Sequence, residues 1–74
     1  MNRLKKLRQE KKLSQKELAE ILSVHYRTLQ NWENGESQIK PEKAQQLADY
    51  FGVSVGYLLG YSEYRDSQEA SSQL

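Results

Sequence analysis

The sequence contains no cysteine, one histidine and one proline, and it has no long apolar run. The absence of cysteine excludes a disulfide framework and a thiolate metal site, and it is compatible with a reducing compartment. No stretch approaches the roughly 20 apolar residues of a membrane span, and the basic start MNRLKKLRQEKK is not followed by the apolar core of a signal peptide. We therefore expect a soluble cytoplasmic protein.

The 74 residues carry a net charge of +1, but the charges are unevenly distributed. Residues 1–16 hold seven Lys or Arg against Glu10, a net charge of +6, whereas residues 17–40 carry −2 and residues 41–74 carry −3. A cationic end is typical of a domain that presents a basic face to a polyanion, although a merely solvated lysine-rich helix has the same composition. A chain of this length predicts one small domain with a thin stability margin, because it buries only about 60% of its unfolded surface.

Apolar periodicity and capping signals predict five helices and no strand. The predicted helices cover 2–12, 15–22, 26–33, Pro41 to Phe51, and the segment between Ser54 and Gly60. The positions expected to face the core are Leu4, Leu7, Leu18, Ala19, Ile21, Leu22, Val24, Leu29, Trp32, Ala44, Leu47, Ala48, Phe51, Val55, Leu58 and Leu59. The sequence thus predicts an all-α domain over residues 1–60, followed by a polar tail, 61–74, that we expect to be disordered.

Residues 13–35 contain two short helices joined by a tight turn. Ser14 and Glu17 have the spacing of a capping box at the start of the first helix. The second helix directs five polar or aromatic residues away from the core: His25, Tyr26, Arg27, Gln30 and Asn31. Displaying such side chains costs conformational entropy, which favours a binding partner for this surface.

Three motifs, in this order and at these separations, carry a resemblance to a known family. They are SQKELAEIL, the WENG that ends the third helix, and FGVSVGYLLG near the end of the domain. Together they resemble the lambda repressor and Cro type of helix-turn-helix domain, also called the xenobiotic-response-element type, over residues 3–60. The resemblance implies a compact five-helix lambda-repressor-like bundle. In that bundle the helix of residues 15–22 crosses the phosphate backbone and the next helix lies in the major groove.

The resemblance also implies roles for individual residues. The expected base-contacting residues are Arg27, Asn31 and Tyr26, with His25 and Gln30 at the margin. A guanidinium can pair with guanine O6 and N7, an Asn amide can pair with adenine, and a Tyr ring can pack on a thymine methyl or reach a phosphate. The expected phosphate-contacting residues are Gln15, Asn34, Lys40 and Gln38. Arg8 and Glu33 match a partly buried ion pair that ties the first helix to the third, so we expect them to be structural.

Three departures from the family pattern concern local geometry. The turn of the family usually carries Gly, which tolerates a positive φ, and here carries Ser23, so we expect this turn to be slightly strained or differently shaped. His25 stands where Ser or Thr is common and is expected to be a poorer helix cap. Gly56 is expected to weaken the last helix by up to about 1 kcal/mol relative to Ala. Tyr61 and Tyr64 either cover the edge of the core or contribute to a dimer interface.

The expected function is that of a sequence-specific transcriptional regulator, a repressor of phage or mobile-element type. It would bind a palindromic operator in double-stranded DNA as a homodimer. The alternative is an antitoxin-like or adaptor module that uses the same fold to bind a protein partner. The chain has no recognisable nucleophile, metal cluster or phosphate-binding glycine loop, so we expect no enzymatic activity, no metal and no cofactor.

Overall fold

The computed structural model describes residues 2–63 and residue 65. Five helices occur in this part of the chain: α1 Leu4–Glu10, α2 Gln15–Leu22, α3 Tyr26–Asn34, α4 Pro41–Phe51 and α5 Val55–Leu59. No strand occurs among the described residues, so the predicted all-α, five-helix architecture is confirmed. Most of the predicted tail, including Tyr64, lies outside them. None of the described helices combines the length and hydropathy that crossing a bilayer would require.

Helix α1 is shorter than the predicted range 2–12. Before it, the side-chain oxygen of Asn2 accepts a hydrogen bond from the Leu4 N–H at 3.0 Å, while the Asn2 amide donates to the carbonyl of Trp32 at 2.9 Å. After it, Lys12 adopts a left-handed φ of 57°. Asn2 is engaged in a tertiary hydrogen bond and Lys12 lies in a turn, so neither residue continues α1.

The start of α2 and the turn that follows it are built from local interactions. The Glu17 N–H donates to the Ser14 hydroxyl at 3.0 Å, and the Ser14 N–H donates to the Glu17 carboxylate at 2.8 Å, which completes the predicted capping box. At the other end Ser23 has φ 57° and ψ 43°, the left-handed conformation. A residue with a Cβ is strained there by about 1–2 kcal/mol, so the strain expected of this turn is present.

Helix α4 is joined to α2 by a lysine that the sequence does not single out. Pro41 occupies the first turn of α4, where its missing N–H costs nothing, and Gly52 ends the helix with a φ of 68°. From the first turn of α4, Lys43 Nζ donates to the carbonyl of Leu22 at 2.9 Å. This ammonium group therefore satisfies a carbonyl at the end of α2 and places a cation at the negative end of that helix dipole.

One hydrophobic core contains residues from all five helices. Its buried members are Leu4, Leu7, Leu18, Ala19, Leu22, Leu29, Trp32, Ile39, Ala44, Leu47, Ala48, Phe51, Val53, Tyr57 and Leu58. The inward prediction for Ile21 is wrong, because its side chain is 41% exposed on α2. Val24, Val55 and Leu59 are only half-buried against the core.

Three buried residues were not predicted: Ile39, Val53 and Tyr57. Ile39 and Val53 lie in the connections before and after α4, where no helical periodicity marks an inward position. Tyr57 lies on α5 and is 7% exposed. Their burial depends on how the connections fold over the bundle, so it follows from tertiary packing.

Gly56 has a packing role besides its low helix propensity. A Cβ added at this residue would lie 3.3 Å from the Ser62 Cβ. The carbonyl of Gly56 also accepts from the N–H groups of Tyr61 at 2.8 Å and Ser62 at 3.2 Å. Glycine at position 56 therefore allows the chain after α5 to return closely along that helix.

Two arginines close the end of the bundle formed by α1 and α5. Arg3 Nη1 donates to the carbonyls of Tyr57 at 2.6 Å and Ser62 at 2.9 Å, and the guanidinium lies 4.1 Å from the centroid of the Tyr57 ring. Arg65 lies 5.6 Å from the same centroid and forms an ion pair with Glu10 on α1. We call Arg3, Glu10, Tyr57 and Arg65 the closure face.

Candidate nucleic-acid interface

Helix α3 is anchored to the core along one side. Leu29 and Trp32 are 0% and 3% exposed, so the predicted core position of Trp32 is confirmed. Gly35, with a φ of 79°, ends the helix. The inner side of α3 is therefore held by packing, which leaves its outer side chains to project from a rigid support.

A buried ion pair adds a second anchor. Arg8 Nε donates to Glu33 Oε2 at 2.6 Å and Arg8 Nη2 donates to Glu33 Oε1 at 3.2 Å, while Arg8 Nη1 donates to the carbonyl of Leu13 at 2.7 Å. The side chains of Arg8 and Glu33 are only 11% and 1% exposed. The structure thus brings together the two residues expected to form a structural pair. A pair this enclosed depends on both partners, since either charge alone would be buried without compensation.

Two glutamines extend this pair to the outer surface. Gln15 Nε2 donates to Glu33 Oε1 at 3.0 Å, and Gln30 Nε2 donates to Gln15 Oε1 at 3.1 Å. An ionised carboxylate can only accept, so it requires the amide nitrogen of Gln15, and the remaining Gln15 oxygen then requires the amide nitrogen of Gln30. The orientation of both amides is therefore determined by Glu33, and the Oε1 acceptor of Gln30 has no donor among residues 2–63 and 65.

The outer side of α3 is exposed at its first turn. His25, Tyr26 and Arg27 are all exposed, and the Arg27 guanidinium makes no hydrogen bond or ion pair within residues 2–63 and 65. Lys16 Nζ, from the first turn of α2, lies 5.7 Å from the centroid of the Tyr26 ring. We call Lys16, His25, Tyr26, Arg27 and Asn31 the recognition face.

The remaining predicted contact residues lie along α3 and beyond its end. Gln30 and Asn31 are half-buried, and Asn34 is exposed as the last residue of the helix. Gln38 and Lys40 are exposed in the connection to α4. Through its hydrogen bonds to Gln30 and Glu33, Gln15 lies beside the C-terminal half of α3, the same end of the helix that carries Asn34.

Tyr61 is 84% exposed, so it does not cover the core edge. It lines a shallow cleft together with Gln38, Ile39 and Leu59. Of the two alternatives given for this residue, its exposure contradicts the first, and a contribution to a dimer interface stays a prediction.

The basic surface is smaller than the charge count indicates. Arg3 and Arg8 direct their guanidinium groups to internal carbonyl and carboxylate groups, so they are not part of it. The cations of residues 1–16 that remain exposed are Lys5, Lys6, Lys11, Lys12 and Lys16.

On the closure face, the hydrogen bond from Arg65 lowers the pKa of the Glu10 carboxyl below its ordinary value of 4.5.

Lys16 is the member of the recognition face that the sequence analysis did not identify. Its ammonium group meets an aromatic ring ten positions later in the chain, on a different helix. No local pattern indicates such a pair, because the contact depends on the angle between α2 and α3. Its placement adds a cation beside the first turn of α3.

The chain matches the model of a known protein family. A family model described as "Helix-turn-helix" matches residues 4–58. Searches of curated proteins and of solved structures found no significant match. Among the residues that the structure describes, no group of three or more acidic or histidine side chains could hold a metal ion. The matched family comprises DNA-binding regulatory domains that are typically non-enzymatic. A match over this share of the sequence, on five helices with an exposed third helix, shows that the chain belongs to the lambda repressor-like, or xenobiotic-response-element, family of helix-turn-helix proteins.

Proposed function

We propose that this chain is a sequence-specific transcriptional regulator of repressor type that inserts α3 into the major groove of double-stranded DNA. The observation that carries the proposal is the contrast between the two sides of α3. Leu29 and Trp32 hold its inner side in the core, while Arg27 on its outer side has no intramolecular partner among the described residues. An unpaired guanidinium on a rigid helix is suited to bidentate recognition of guanine.

The hydrogen-bonded side chains of Arg8, Glu33, Gln15 and Gln30, which we call the Glu33 network, support this proposal because they orient the helices that would meet DNA. Gln15 Nε2 has two hydrogens and uses one on Glu33, so the second remains for a phosphate oxygen at the start of α2. The positive end of the α2 dipole favours an anion at the same position. Gln15 would thereby hold the phosphate backbone and brace α3 through Gln30 at once.

Each predicted contact residue of α3 has a role that the chemistry of its side chain permits. Arg27 donates to guanine O6 and N7, Asn31 pairs with adenine, and Tyr26 packs against a thymine methyl or donates to a phosphate. Asn31 is half-buried, so only its terminal amide would reach a base. Asn34, Lys40 and Gln38 would contact phosphates beyond the C-terminal end of α3.

The protein would act as a homodimer on a palindromic operator in the cytoplasm. Two copies of α3 reach successive major grooves on one side of the duplex when they are about 34 Å apart. This arrangement predicts an operator with two inverted half-sites separated by one helical turn, measured centre to centre.

Selection of bound duplexes from a random pool tests the proposal. We expect an inverted repeat, and an affinity whose logarithm falls with log salt by about 0.9 for each neutralised phosphate. Recovery of unrelated sequences, bound as tightly as random DNA, would contradict sequence-specific recognition. It would favour the alternative of an antitoxin-like or adaptor module that uses the exposed side of α3, or Tyr61, to bind a protein partner.

Replacing Arg27 tests the role of α3 itself. We expect Arg27→Ala to bind the selected duplex about 10- to 100-fold more weakly and to lose preference at one base pair in each half-site, with an unchanged melting temperature. Arg65→Ala is the matched control, because it removes the same side chain from the closure face. Undiminished affinity and selectivity of a folded Arg27→Ala protein would show that α3 does not read bases through this residue.

A further inference from the structure

His25 holds the start of α3 with its ring. It is the N-cap residue, with an extended backbone at φ −70° and ψ 142°. Its Nδ1 accepts a hydrogen bond from the Arg27 N–H at 3.1 Å. The ring also stacks on Tyr26, with centroids 5.0 Å apart and an angle of 25° between the planes. His25, expected to be a poorer cap than Ser or Thr, therefore does cap α3, because Nδ1 supplies the acceptor that a Ser or Thr oxygen would provide.

This hydrogen bond determines where the imidazole carries its proton. A neutral imidazole has one N–H and one bare nitrogen, whereas the imidazolium has two N–H groups and cannot accept. Because Nδ1 accepts from Arg27, the capping form must be neutral and must carry its proton on Nε2. Nε2 lies on the other edge of the ring from the helix backbone, on an exposed residue. His25 therefore presents an N–H donor, and no acceptor, on the recognition face.

We propose that His25 binds DNA as an obligate hydrogen-bond donor through Nε2–H while its Nδ1 caps α3. This inference rests on the proposed function and specifies that His25 is the hydrogen-bond donor in its contact with DNA. The partner must be an acceptor, which on DNA is a phosphate oxygen, guanine O6 or N7, adenine N7 or thymine O4. Amino groups such as adenine N6 and cytosine N4 are rejected, because two donors would face each other. The ammonium group of Lys16 beside the Tyr26 ring further favours an electronegative partner at this position.

The tautomer can be measured without DNA. His25 is the one histidine of the chain, so long-range proton–nitrogen NMR of the wild-type protein at neutral pH reports it without ambiguity. We expect a protonated Nε2 and a bare Nδ1. A ring protonated on Nδ1, or an even mixture of the two tautomers, would overturn the inference and would leave the proposed function untouched.

A substitution separates the cap from the donor. His25→Ser keeps a capping oxygen but removes the ring N–H, so we expect the protein to fold and to bind the selected duplex about three- to tenfold more weakly. Ser54→Ala is the control, because it removes the cap hydrogen bond to the Tyr57 N–H, at 3.0 Å, from a helix outside the recognition face. This variant should lose thermal stability and keep its DNA affinity when folded.

The pattern of the loss identifies the acceptor. An equal loss on every single-base-pair variant of the duplex indicates a phosphate oxygen, whereas a base preference that disappears at one position indicates an acceptor of that base, guanine O6 or N7, adenine N7 or thymine O4. Undiminished affinity of His25→Ser would overturn the donor role. If the wild-type protein selects no sequence at all, the proposed function itself fails. The NMR measurement is made without DNA, so it distinguishes that failure from a wrong tautomer at His25.

Discussion

The recognition face and the closure face use arginine in opposite ways. On the closure face, Arg3 donates to two backbone carbonyls and lies against the Tyr57 ring, and Arg65 pairs with Glu10. On the recognition face, the Arg27 guanidinium has no partner among the described residues. Residue type and net charge therefore do not distinguish a structural cation from a binding one. The difference lies in whether the fold supplies acceptors, because a guanidinium satisfied inside the protein has fewer donors left for DNA.

The Glu33 network belongs to neither face and has both a structural and an outward-facing part. It holds α1 to α3 through Arg8 and reaches the outer surface through Gln15 and Gln30. A change in this network should therefore affect stability and recognition together, whereas changes on either face should affect only one of them.

Arg8→Ala is expected to have the largest effect on stability. It leaves the Glu33 carboxylate, whose side chain is 1% exposed, without its cation, so we expect a loss of about 3 kcal/mol in the free energy of unfolding. Urea denaturation measures this loss, with Lys6→Ala, an exposed residue of the same helix, as the control. An Arg8→Ala protein with unchanged melting temperature but weakened DNA binding would make Arg8 a binding residue.

Arg3→Ala should have the next largest effect on stability and should leave DNA recognition intact. The substitution removes two charge-assisted hydrogen bonds to the carbonyls of Tyr57 and Ser62, so we expect a loss of roughly 2 kcal/mol in the free energy of unfolding. DNA affinity, measured where the variant is fully folded, should not change. A matching loss of affinity and a smaller salt dependence would place Arg3 on the DNA-binding surface.

Ser23→Gly should have a smaller effect of the opposite sign. Glycine relieves the left-handed strain at the turn between α2 and α3, but it increases the entropy of the unfolded chain. We expect a net gain of about 0.5 kcal/mol in the free energy of unfolding, measured by thermal denaturation. Destabilisation would mean that the Ser23 side chain itself supports the turn.

Arg65→Gln should have the smallest effect, and it should depend on pH. Because Arg65 lowers the pKa of Glu10 in the folded state, the ion pair stabilises the protein above the ordinary value of 4.5 and ceases to do so as the pH falls through the lower folded value. The melting temperatures of wild type and variant should thus differ slightly at neutral pH and converge in acid. A difference that persists in acid would assign the role of Arg65 to its packing on Tyr57.

The sequence predicted the interface less completely than the fold. The pair of Arg8 and Glu33, expected from the resemblance to a family, is present, and Arg27 is exposed, while its contact with a base stays a prediction. Lys16 could not be identified from the sequence, because its approach to Tyr26 depends on how two helices cross. Nor did the sequence predict that His25 is an effective cap, since that depends on the orientation of its ring relative to the Arg27 N–H.

The sequence by itself determined where the helices begin and end, apart from the ends of α1 and the last residue of α3, Asn34. The capping box at Ser14, Pro41 at the start of α4 and Gly52 at its end act within a few residues, so their effects are visible in the local order of residue types. Tertiary structure alone decided that Arg3 is satisfied by internal carbonyls and which way the amides of Gln15 and Gln30 point. Those outcomes depend on acceptors 15 to 59 positions away, and no local pattern can specify a partner at that separation.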